Sequence, residues 1–311
     1  MKTYCITGIS GYIGQLLATR LARDAEVRVV GIDVKTPEGL DNIVFHKIDI
    51  RDPAITDILQ AEAIDTLIHL AFYTHPEGDP KEALSVNIDG TKNILGAVAA
   101  AGTAKFVMAS SAAAYGSHPD NPVPMSEDQP LRPNDYFYYS WHKAEQERLA
   151  GDVLGSRPDI KTVILRPCVL IGPHINNPTG DSLRQKILFY MKGDAPPIQL
   201  IDEDDAVEAF YLAATGDGEG VFNVTGKGML TYPELAGILH KKIVLLPYGL
   251  LASLATLAKW LGLSPVSATT LRFIRNPIVI DGSRFQKRFG FKPKHNQQQI
   301  LLKFLNSQIK D

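Results

Sequence analysis

Two side chains spaced for proton transfer occur near the middle of the chain, in the run Tyr139-Ser140-Trp141-His142-Lys143. A tyrosine and a lysine at i and i+4 lie on one face of a helix. An ammonium group beside the phenol lowers its pKa from about 10, and a nicotinamide cation would lower it further. Tyr139 could then act as a base near neutral pH. A surface Tyr/Lys pair is the simpler alternative.

Three glycines near the start of the chain could bind phosphates. Gly8, Gly11 and Gly14 follow the apolar run Tyr4-Cys5-Ile6 and precede a helical pattern at 15–21. Gly8 can make a tight turn, Gly11 lets the backbone approach a pyrophosphate, and Gly14 lets the helix pack close to the strand. The helix N-terminus offers N–H groups and a partial positive charge. An ordinary turn between a strand and a helix is the alternative.

An acidic residue follows the second apolar run, 27–32. Asp33 stands about twenty residues past the glycines, where a carboxylate can accept hydrogen bonds from the adenosine ribose. It would also repel a 2′-phosphate, so the sequence favours NAD over NADP. Lys35 weakens that preference.

Further strands, at 43–48, 65–71 and 105–109, alternate with helical patterns, the longest of which is 79–101. This alternation predicts an α/β fold with a Rossmann-type, doubly wound parallel sheet. Residues after the carboxyl ends of such strands line the ligand crevice, which places Ser110 and Ser111 there. A proline-rich loop, 117–134, is expected to cover this crevice and to lead into the helix of Tyr139.

Three polar residues of these elements have open interpretations. Asp49 could accept from the adenine amino group. Asn87 is an unusual choice inside a helix, and it could bridge backbone groups beneath a cofactor or lie on a solvated face. His69, within the fourth strand, is expected to be structural.

Composition narrows the class of protein. The chain has 311 residues, 45% of them hydrophobic and 21% charged, with a formal net charge of −2. It is long enough for one large α/β domain with an appended lobe, and its charge does not favour nucleic-acid binding. Neither internal repeats nor metal-ligand clusters are apparent. The two cysteines, Cys5 and Cys168, lack a disulfide or zinc spacing.

Localisation is expected to be cytoplasmic. The two cysteines fit a reducing compartment, and Met1 leads straight into the first strand without room for a signal peptide. The most hydrophobic segment, 243–263, is interrupted by Pro247, Gly249 and Lys259. We therefore expect a lobe helix there and no membrane partner.

Taken together, the sequence resembles the extended short-chain dehydrogenase/reductase family, in its branch of NAD-dependent nucleotide-sugar epimerases and dehydratases. The resemblance covers almost the whole chain and is strongest in the first 175 residues. The motifs that carry it are the glycine turn at 8–14, Asp33, Asp49, His69-Leu70-Ala71, Asn87 with Gly90-Thr91, Ser110-Ser111 with Tyr115-Gly116, Tyr139 with Lys143, Glu147, Leu165-Arg166-Pro167 with Ile171-Gly172-Pro173, Asp204-Asp205-Ala206, Phe222-Asn223-Val224 and Arg288-Phe289-Gly290-Phe291-Lys292-Pro293.

The resemblance implies a role for each matching residue. Tyr139 would be the general base or acid, Lys143 would hold the nicotinamide ribose, and Ser111 would bond the reacting oxygen. The implied cofactor-binding residues are Gly8, Gly11, Tyr12, Ile13, Gly14, Asp33, Asp49, Ile50, Leu70, Ala71, Asn87, Ser110, Tyr139, Lys143 and Pro167. The implied substrate-binding residues are Phe72, Ser111, Ala112 and Tyr115. The family also implies a homodimer formed through helices 80–101 and 135–150.

The implied domains are an NAD-binding domain at 1–170, to which 198–224 return, and a smaller C-terminal substrate-binding lobe at 171–197 and 225–311. Within the lobe, the sequence departs from the family. Relatives carry a pyrophosphate-binding arginine shortly before the position of Ile201, whereas this chain has 196–200 without one. Arg184, Arg272, Arg275 and Arg284 are alternatives.

Three functions fit this pattern. The favoured one is an NAD-dependent epimerase-type enzyme acting on a small-molecule substrate such as a nucleotide sugar. The alternatives are a dehydrogenase or reductase acting on a lipid- or steroid-like alcohol, and an NAD-binding scaffold without turnover.

Overall fold

Seven parallel strands form the central sheet of the computed structural model, which describes residues 1–74, 79–175, 177–193, 196–262 and 266–308. In chain order the strands of the protein are β1 (Lys2–Thr7), β2 (Val27–Asp33), β3 (Val44–Lys47), β4 (Thr66–His69), β5 (Lys105–Ala109), β6 (Lys161–Pro167), β7 (Val169–Ile171), β8 (Ile187–Met191), β9 (Leu200–Asp202), β10 (Gly220–Val224) and β11 (Lys242–Leu246). The central sheet has the order β3-β2-β1-β4-β5-β6-β10, and all its pairs are parallel.

The strand order reverses between β1 and β4. In doubly wound sheets the ligand crevice lies outside the carboxyl ends of the strands at such a point. Here the glycine turn follows β1, and Leu70-Ala71-Phe72 follow β4. The predicted Rossmann-type fold is confirmed.

Helices cover both faces of the sheet. They are α1 (Tyr12–Leu21), α2 (Ile55–Ala61), α3 (Pro80–Leu84), α4 (Gly90–Ala101), α5 (Tyr138–Leu154), α6 (Pro178–Arg184), α7 (Glu203–Thr215), α8 (Tyr232–Ile238), α9 (Tyr248–Trp260), α10 (Ala268–Phe273), α11 (Ser283–Phe289) and α12 (Gln297–Ser307). Buried side chains of α1, α7 and α11 form the core on one face, and those of α2, α4 and α5 form the core on the other. The strands between them are apolar on both sides, as buried parallel strands are.

Two predicted helices differ in detail from the structure. Between α3 and α4 lies one π-helical turn, Ser85–Asp89, which carries Asn87. Helix α5 begins at Tyr138 and not just after Asn134, because Phe137 has the extended φ of −126°. The Ser140 hydroxyl holds this start in place by donating to the Ala113 carbonyl at 2.7 Å.

A second group of elements forms the lobe. Strand β8 pairs with β11 and β7 pairs with β9, and their buried side chains pack with those of α6, α8, α9, α10 and α12. The domain boundaries stay a prediction, although α11 packs on β10 through Phe285 and so belongs to the core of the main sheet. Within the described ranges, no helix has the length and apolar character needed to cross a membrane.

Candidate active site

The glycine turn brings β1, β4 and α1 into close contact. Gly8 has a φ of +75°, and a Cβ atom there would lie 2.6 Å from the Ala71 nitrogen. A Cβ on Gly14 would lie 2.2 Å from the Gly8 carbonyl oxygen. Gly11 is the N-cap of α1 and has no side chain that could bond to the helix. The N–H groups of the first turn, which face the crevice, are therefore not occupied by an N-cap side chain. The turn thus has the geometry of an anion-binding helix N-terminus.

Gly14→Ala should abolish NAD binding, because the added methyl group forces α1 away from β1 and moves the phosphate-binding N–H groups. Gly96→Ala is the matched control, since Gly96 lies inside α4 with no atom within 4 Å of its added Cβ. Alanine also suits a helix interior better than glycine. Calorimetric titration with NAD checks both variants. NAD binding by Gly14→Ala with wild-type affinity would contradict this role of the turn.

Asp33 lies at the end of β2 and is tied to the glycine turn. Its carboxylate accepts from the backbone N–H groups of Ser10 and Lys35, both at 3.0 Å. Asp49 instead pairs with Arg51 at 2.6 Å, and hydrogen bonding from that guanidinium lowers the Asp49 pKa. Binding of adenosine by these two carboxylates stays a prediction, and Ile50 beside Asp49 is buried against Gly90.

Tyr12 connects the cofactor helix to the lobe. Its hydroxyl donates to the Glu203 carboxylate, which also accepts from the His174 backbone N–H at 3.1 Å. Burial, and then the bond to Glu203, raises the pKa of Tyr12. The Tyr12 side chain is therefore engaged within the protein, as is Ile13, which packs against the core. Only the backbone of these two residues remains to face phosphates.

Ser111 and Tyr139 meet where β5 ends. Ser111 caps a short 3₁₀ turn, Ala112–Tyr115, through its Oγ, which accepts from the Ala113 N–H at 3.1 Å. The Tyr139 side chain lies close enough to Ser111 for that hydroxyl to act on the Tyr139 pKa, and its ring packs edge-on against Phe72, with ring centroids 5.3 Å apart. The Ser111 hydroxyl, the Tyr139 phenol and the segment that follows β4 therefore lie close together.

The pKa of Tyr139 shifts in the direction opposite to that predicted. Burial raises it, and the bond from Ser111 only partly opposes the shift. Lys143 makes its own contacts instead, since its Nζ donates to the Ala109 carbonyl at 2.7 Å and to Gln146 Oε1 at 3.1 Å. It also lies 3.9 Å from the centre of the Phe72 ring. Burial lowers the Lys143 pKa to about 7, against the attraction of Glu147.

A buried network of polar groups supports Lys143 through Gln146. Gln146 Nε2 donates to the Asn87 carbonyl at 3.1 Å and to Thr91 Oγ1 at 2.7 Å. The Asn87 side chain accepts from the Tyr73 N–H at 2.7 Å and donates to the Tyr73 carbonyl at 3.2 Å and to His142 Nδ1 at 3.0 Å. Asn87 is fully buried, so it bridges backbone as proposed and does not lie on a solvated face.

His69 is structural, as predicted. Its Nδ1 lies 2.7 Å from Thr7 Oγ1, and its Nε2 lies 3.1 Å from Thr91 Oγ1. Thr91 donates to the Asn87 carbonyl, so its oxygen accepts from His69 Nε2–H, and Thr7 donates to Nδ1. Burial lowers the His69 pKa to about 3, which keeps the ring neutral.

Tyr115 differs from its expected position beside the substrate. Its side chain is 1% exposed, and its hydroxyl accepts from Arg166 Nη1 at 2.7 Å and donates to Asn223 Oδ1 at 2.9 Å. Ser110 is likewise buried, with its hydroxyl donating to Glu147. These side chains join β6, β10 and α5 behind the crevice. Ala112 is buried as well, whereas Leu70, Ala71, Phe72 and Pro167 are partly exposed at the strand ends.

Sequence reasoning missed Gln146, His142 and Glu203. Gln146 lies one turn beyond Lys143, so its i+3 spacing from the lysine was the available signal. Among the described residues, no group of His, Cys, Asp and Glu side chains is placed to hold a metal ion.

A parallel sheet with a glycine turn at its switch point defines a class of dinucleotide-binding proteins. The chain belongs to the NAD dependent epimerase/dehydratase family, whose model matches residues 4–225. It is an NAD-dependent enzyme of the extended short-chain dehydrogenase/reductase kind, which confirms the resemblance and the cofactor inferred from the sequence.

The chain is also similar to individual proteins over most of its length. An uncharacterized protein of Mycobacterium tuberculosis (strain H37Rv) is 25% identical over 302 residues, which cover 94% of this chain and 80% of that protein. UDP-glucose 4-epimerase 2 of Oryza sativa subsp. japonica is 29% identical over 245 residues, which cover 71% and 57% of the two chains. The crystal structure of UDP-glucose-4-epimerase from Stenotrophomonas maltophila, with bound NAD and formylated UDP-arabinopyranose, superposes with a TM-score of 0.80 at 19% identity, covering 100% and 98% of the chains.

Proposed function

We propose that this enzyme epimerises a secondary alcohol of a nucleotide sugar, with Tyr139 as the proton-transfer group. The observation that carries the proposal is the approach of Ser111, the N-cap of the 3₁₀ turn after β5, to Tyr139, which packs edge-on against Phe72 at the end of β4. Ser111 would donate to the reacting oxygen while Tyr139 removes its proton. When bound, NAD would supply the chemistry of a hydride acceptor for that carbon and of a hydride donor to the opposite face of the resulting ketone. Tyr139 then gives its proton back to the oxygen, so the net reaction changes only the configuration at carbon.

Lys143 would hold the nicotinamide ribose and orient it toward this pair. Its ammonium already points at the strand end, where the Ala109 carbonyl accepts from it. Gln146 Oε1 accepts from the same ammonium, and the Asn87 carbonyl accepts from Gln146 in turn, so the lysine needs little rearrangement to form a bond with a ribose hydroxyl. Pre-positioning of this kind reduces the entropic cost of the reaction.

Arg272 is the best candidate among the four arginines for contact with a substrate phosphate. Its guanidinium lies 3.9 Å from the centre of the ring of Tyr136, which stands just before α5, the helix that carries Tyr139. Next to it, Phe273 packs against Phe137 with ring centroids 4.2 Å apart. Arg184 and Arg284 are committed elsewhere, to the Ile175 carbonyl at 2.6 Å and to Asp128 at 2.8 Å.

The test is mass spectrometry of the purified protein, followed by assays with a panel of nucleotide sugars. We expect NAD to stay bound through purification, because an epimerase regenerates its own cofactor and gains nothing by releasing it. Arg272→Gln should weaken nucleotide-sugar binding by about tenfold or more, since a charge-assisted bond to phosphate is lost. NAD affinity should be unchanged. Arg23→Gln, at an exposed position in the turn after α1, is the control.

A second candidate is a dehydrogenase acting on a lipid-like alcohol. It is favoured by the apolar character of α9 in the lobe and by the lack of an arginine at 196–200. It predicts exchangeable cofactor and stoichiometric NADH formation from a non-sugar alcohol. That outcome, with no binding of any nucleotide sugar, would overturn the epimerase proposal.

A further inference from the structure

Helix α9 is apolar on nearly all sides, yet only one side of it is packed. Leu251 is buried, and Tyr248 and Ala255 pack against the same small core with Tyr190 and Leu271. A helix that is hydrophobic all round is normally buried all round. Among the residues that the structure describes, the opposite side of α9 therefore has no packing partner.

That outward side is a continuous helical stripe. Leu250, Leu254, Leu257 and Leu261 follow at spacings of four, three and four residues, and each is about half exposed. Trp260, beside this stripe, is 80% exposed. We call these five residues the outer face of α9. Large side chains grouped in this way on a surface mark an interaction site.

The strand pair that leads into α9 also exposes apolar side chains. Phe189 and Val244 are register partners in β8 and β11, and both are exposed. Ile187, two residues before Phe189, is exposed too, and its partner in β11 is Lys242. The chain passes from β11 through Pro247 directly into α9.

Charge in this part of the lobe is strongly one-sided. Residues 226–275 contain six lysines and arginines and one acidic residue, Glu234, although the whole chain has a net charge of −2. Lys242 is exposed on the strand pair, and Lys186 and Lys192 are exposed on either side of β8. Lys259 directly precedes Trp260. The exposed apolar surface is thus bordered by cations.

We propose that the outer face of α9 docks on the surface of an anionic phospholipid bilayer. Leucines and a tryptophan bordered by lysines are typical of surfaces that lie in the membrane interface, with the apolar side chains entering the headgroup boundary. Tryptophan is favoured at that depth, and each lysine gains from the negative surface potential. The enzyme rests on the membrane and does not span it, which modifies the sequence-based expectation of no membrane partner.

A second copy of the chain fits this surface less well. In a two-fold dimer the same patch meets itself, so the cations that border it would be brought close to the cations of the second copy. Residues 226–275 offer only Glu234 as a compensating acid, and its carboxylate is bonded to Thr231. Phosphate groups of lipids supply the missing negative charge.

Co-sedimentation with vesicles tests the proposal without any need for turnover. The intact protein should bind vesicles of mixed phosphatidylglycerol and phosphatidylcholine, bind pure phosphatidylcholine more weakly, and dissociate as salt rises. Leu254→Ser with Leu257→Ser should reduce binding by about tenfold or more, because two leucines no longer enter the bilayer. Lys242→Gln should reduce binding about fivefold.

Val123→Ser is the matched control, since Val123 is equally exposed but lies in the loop after the 3₁₀ turn. Thermal stabilisation by NAD shows that each variant is folded, which separates this result from the success or failure of the epimerase proposal. Binding that is equal for both vesicle types, or unchanged in the leucine variant, overturns membrane docking. A dimer that dissociates in the leucine variant, with no vesicle binding by the intact protein, assigns the surface to a second copy.

Discussion

Tyr139→Phe should lower the turnover rate by about 10² to 10⁴ while leaving NAD binding and the fold intact. The change removes only the hydroxyl on whose pKa Ser111 acts, and it keeps the ring that packs against Phe72. Steady-state rates, together with NAD titration, check both parts. Tyr138→Phe is the control, because Tyr138 lies on the same helix and burial raises its pKa to about 12. A fully active Tyr139→Phe enzyme would remove Tyr139 from the mechanism.

Ser111→Ala should slow the same reaction less than Tyr139→Phe. It deletes a hydrogen bond to the reacting oxygen but leaves the proton-transfer group in place. The Tyr139 pKa, which burial raises, loses the one bond that opposes this shift. The rate of the Ser111 variant should therefore rise toward higher pH than that of the intact enzyme.

Arg166→Met should lower the free energy of unfolding by about 3–5 kcal/mol. The guanidinium pairs with Glu147 at 2.6 Å, and both side chains are about 95% buried. Methionine fills the space but leaves the Glu147 carboxylate in the core without its counter-charge. Denaturant unfolding, followed by fluorescence and by circular dichroism, measures the loss.

The matched control for this buried pair is Arg148→Met on the same helix as Glu147. Arg148 pairs with Glu145 and Asp152 at the exposed surface, where ion pairs contribute little. Its unfolding should be nearly unchanged. Equal losses of unfolding free energy in the two variants would mean that breaking the buried Arg166–Glu147 pair is no more destabilising than breaking an exposed pair.

The backbone of the site was largely predictable from the sequence. Because glycine has no Cβ atom, Gly8 and Gly14 allow the tight turn and the close approach of α1. Both features could be inferred from the local sequence. The alternation of strands and helices likewise predicted a doubly wound parallel sheet. The structural role of His69 followed from its place inside a buried strand.

Side-chain partners were predicted less well, because they depend on residues far apart in the sequence. Tyr12 bonds Glu203 across 191 positions, and Tyr115 bonds Asn223 across 108. No local pattern indicates such pairs. The effect of Lys143 on Tyr139 was misjudged for a related reason, since the spacing places them on one helical face but does not show that Ala109 and Gln146 compete for the ammonium.

The π-helical turn at Ser85–Asp89 has a consequence for insertions and deletions. A π turn contains one residue more than an α turn, so removal of one residue there would restore continuous helix from α3 to α4. The residues before the deletion would rotate by about 100° relative to those after it. The hydrogen bonds within the helix would be kept, but the Asn87 side chain would lose its two hydrogen bonds to the Tyr73 backbone. A deletion of one residue at this turn should therefore leave the protein able to fold but reduce its activity.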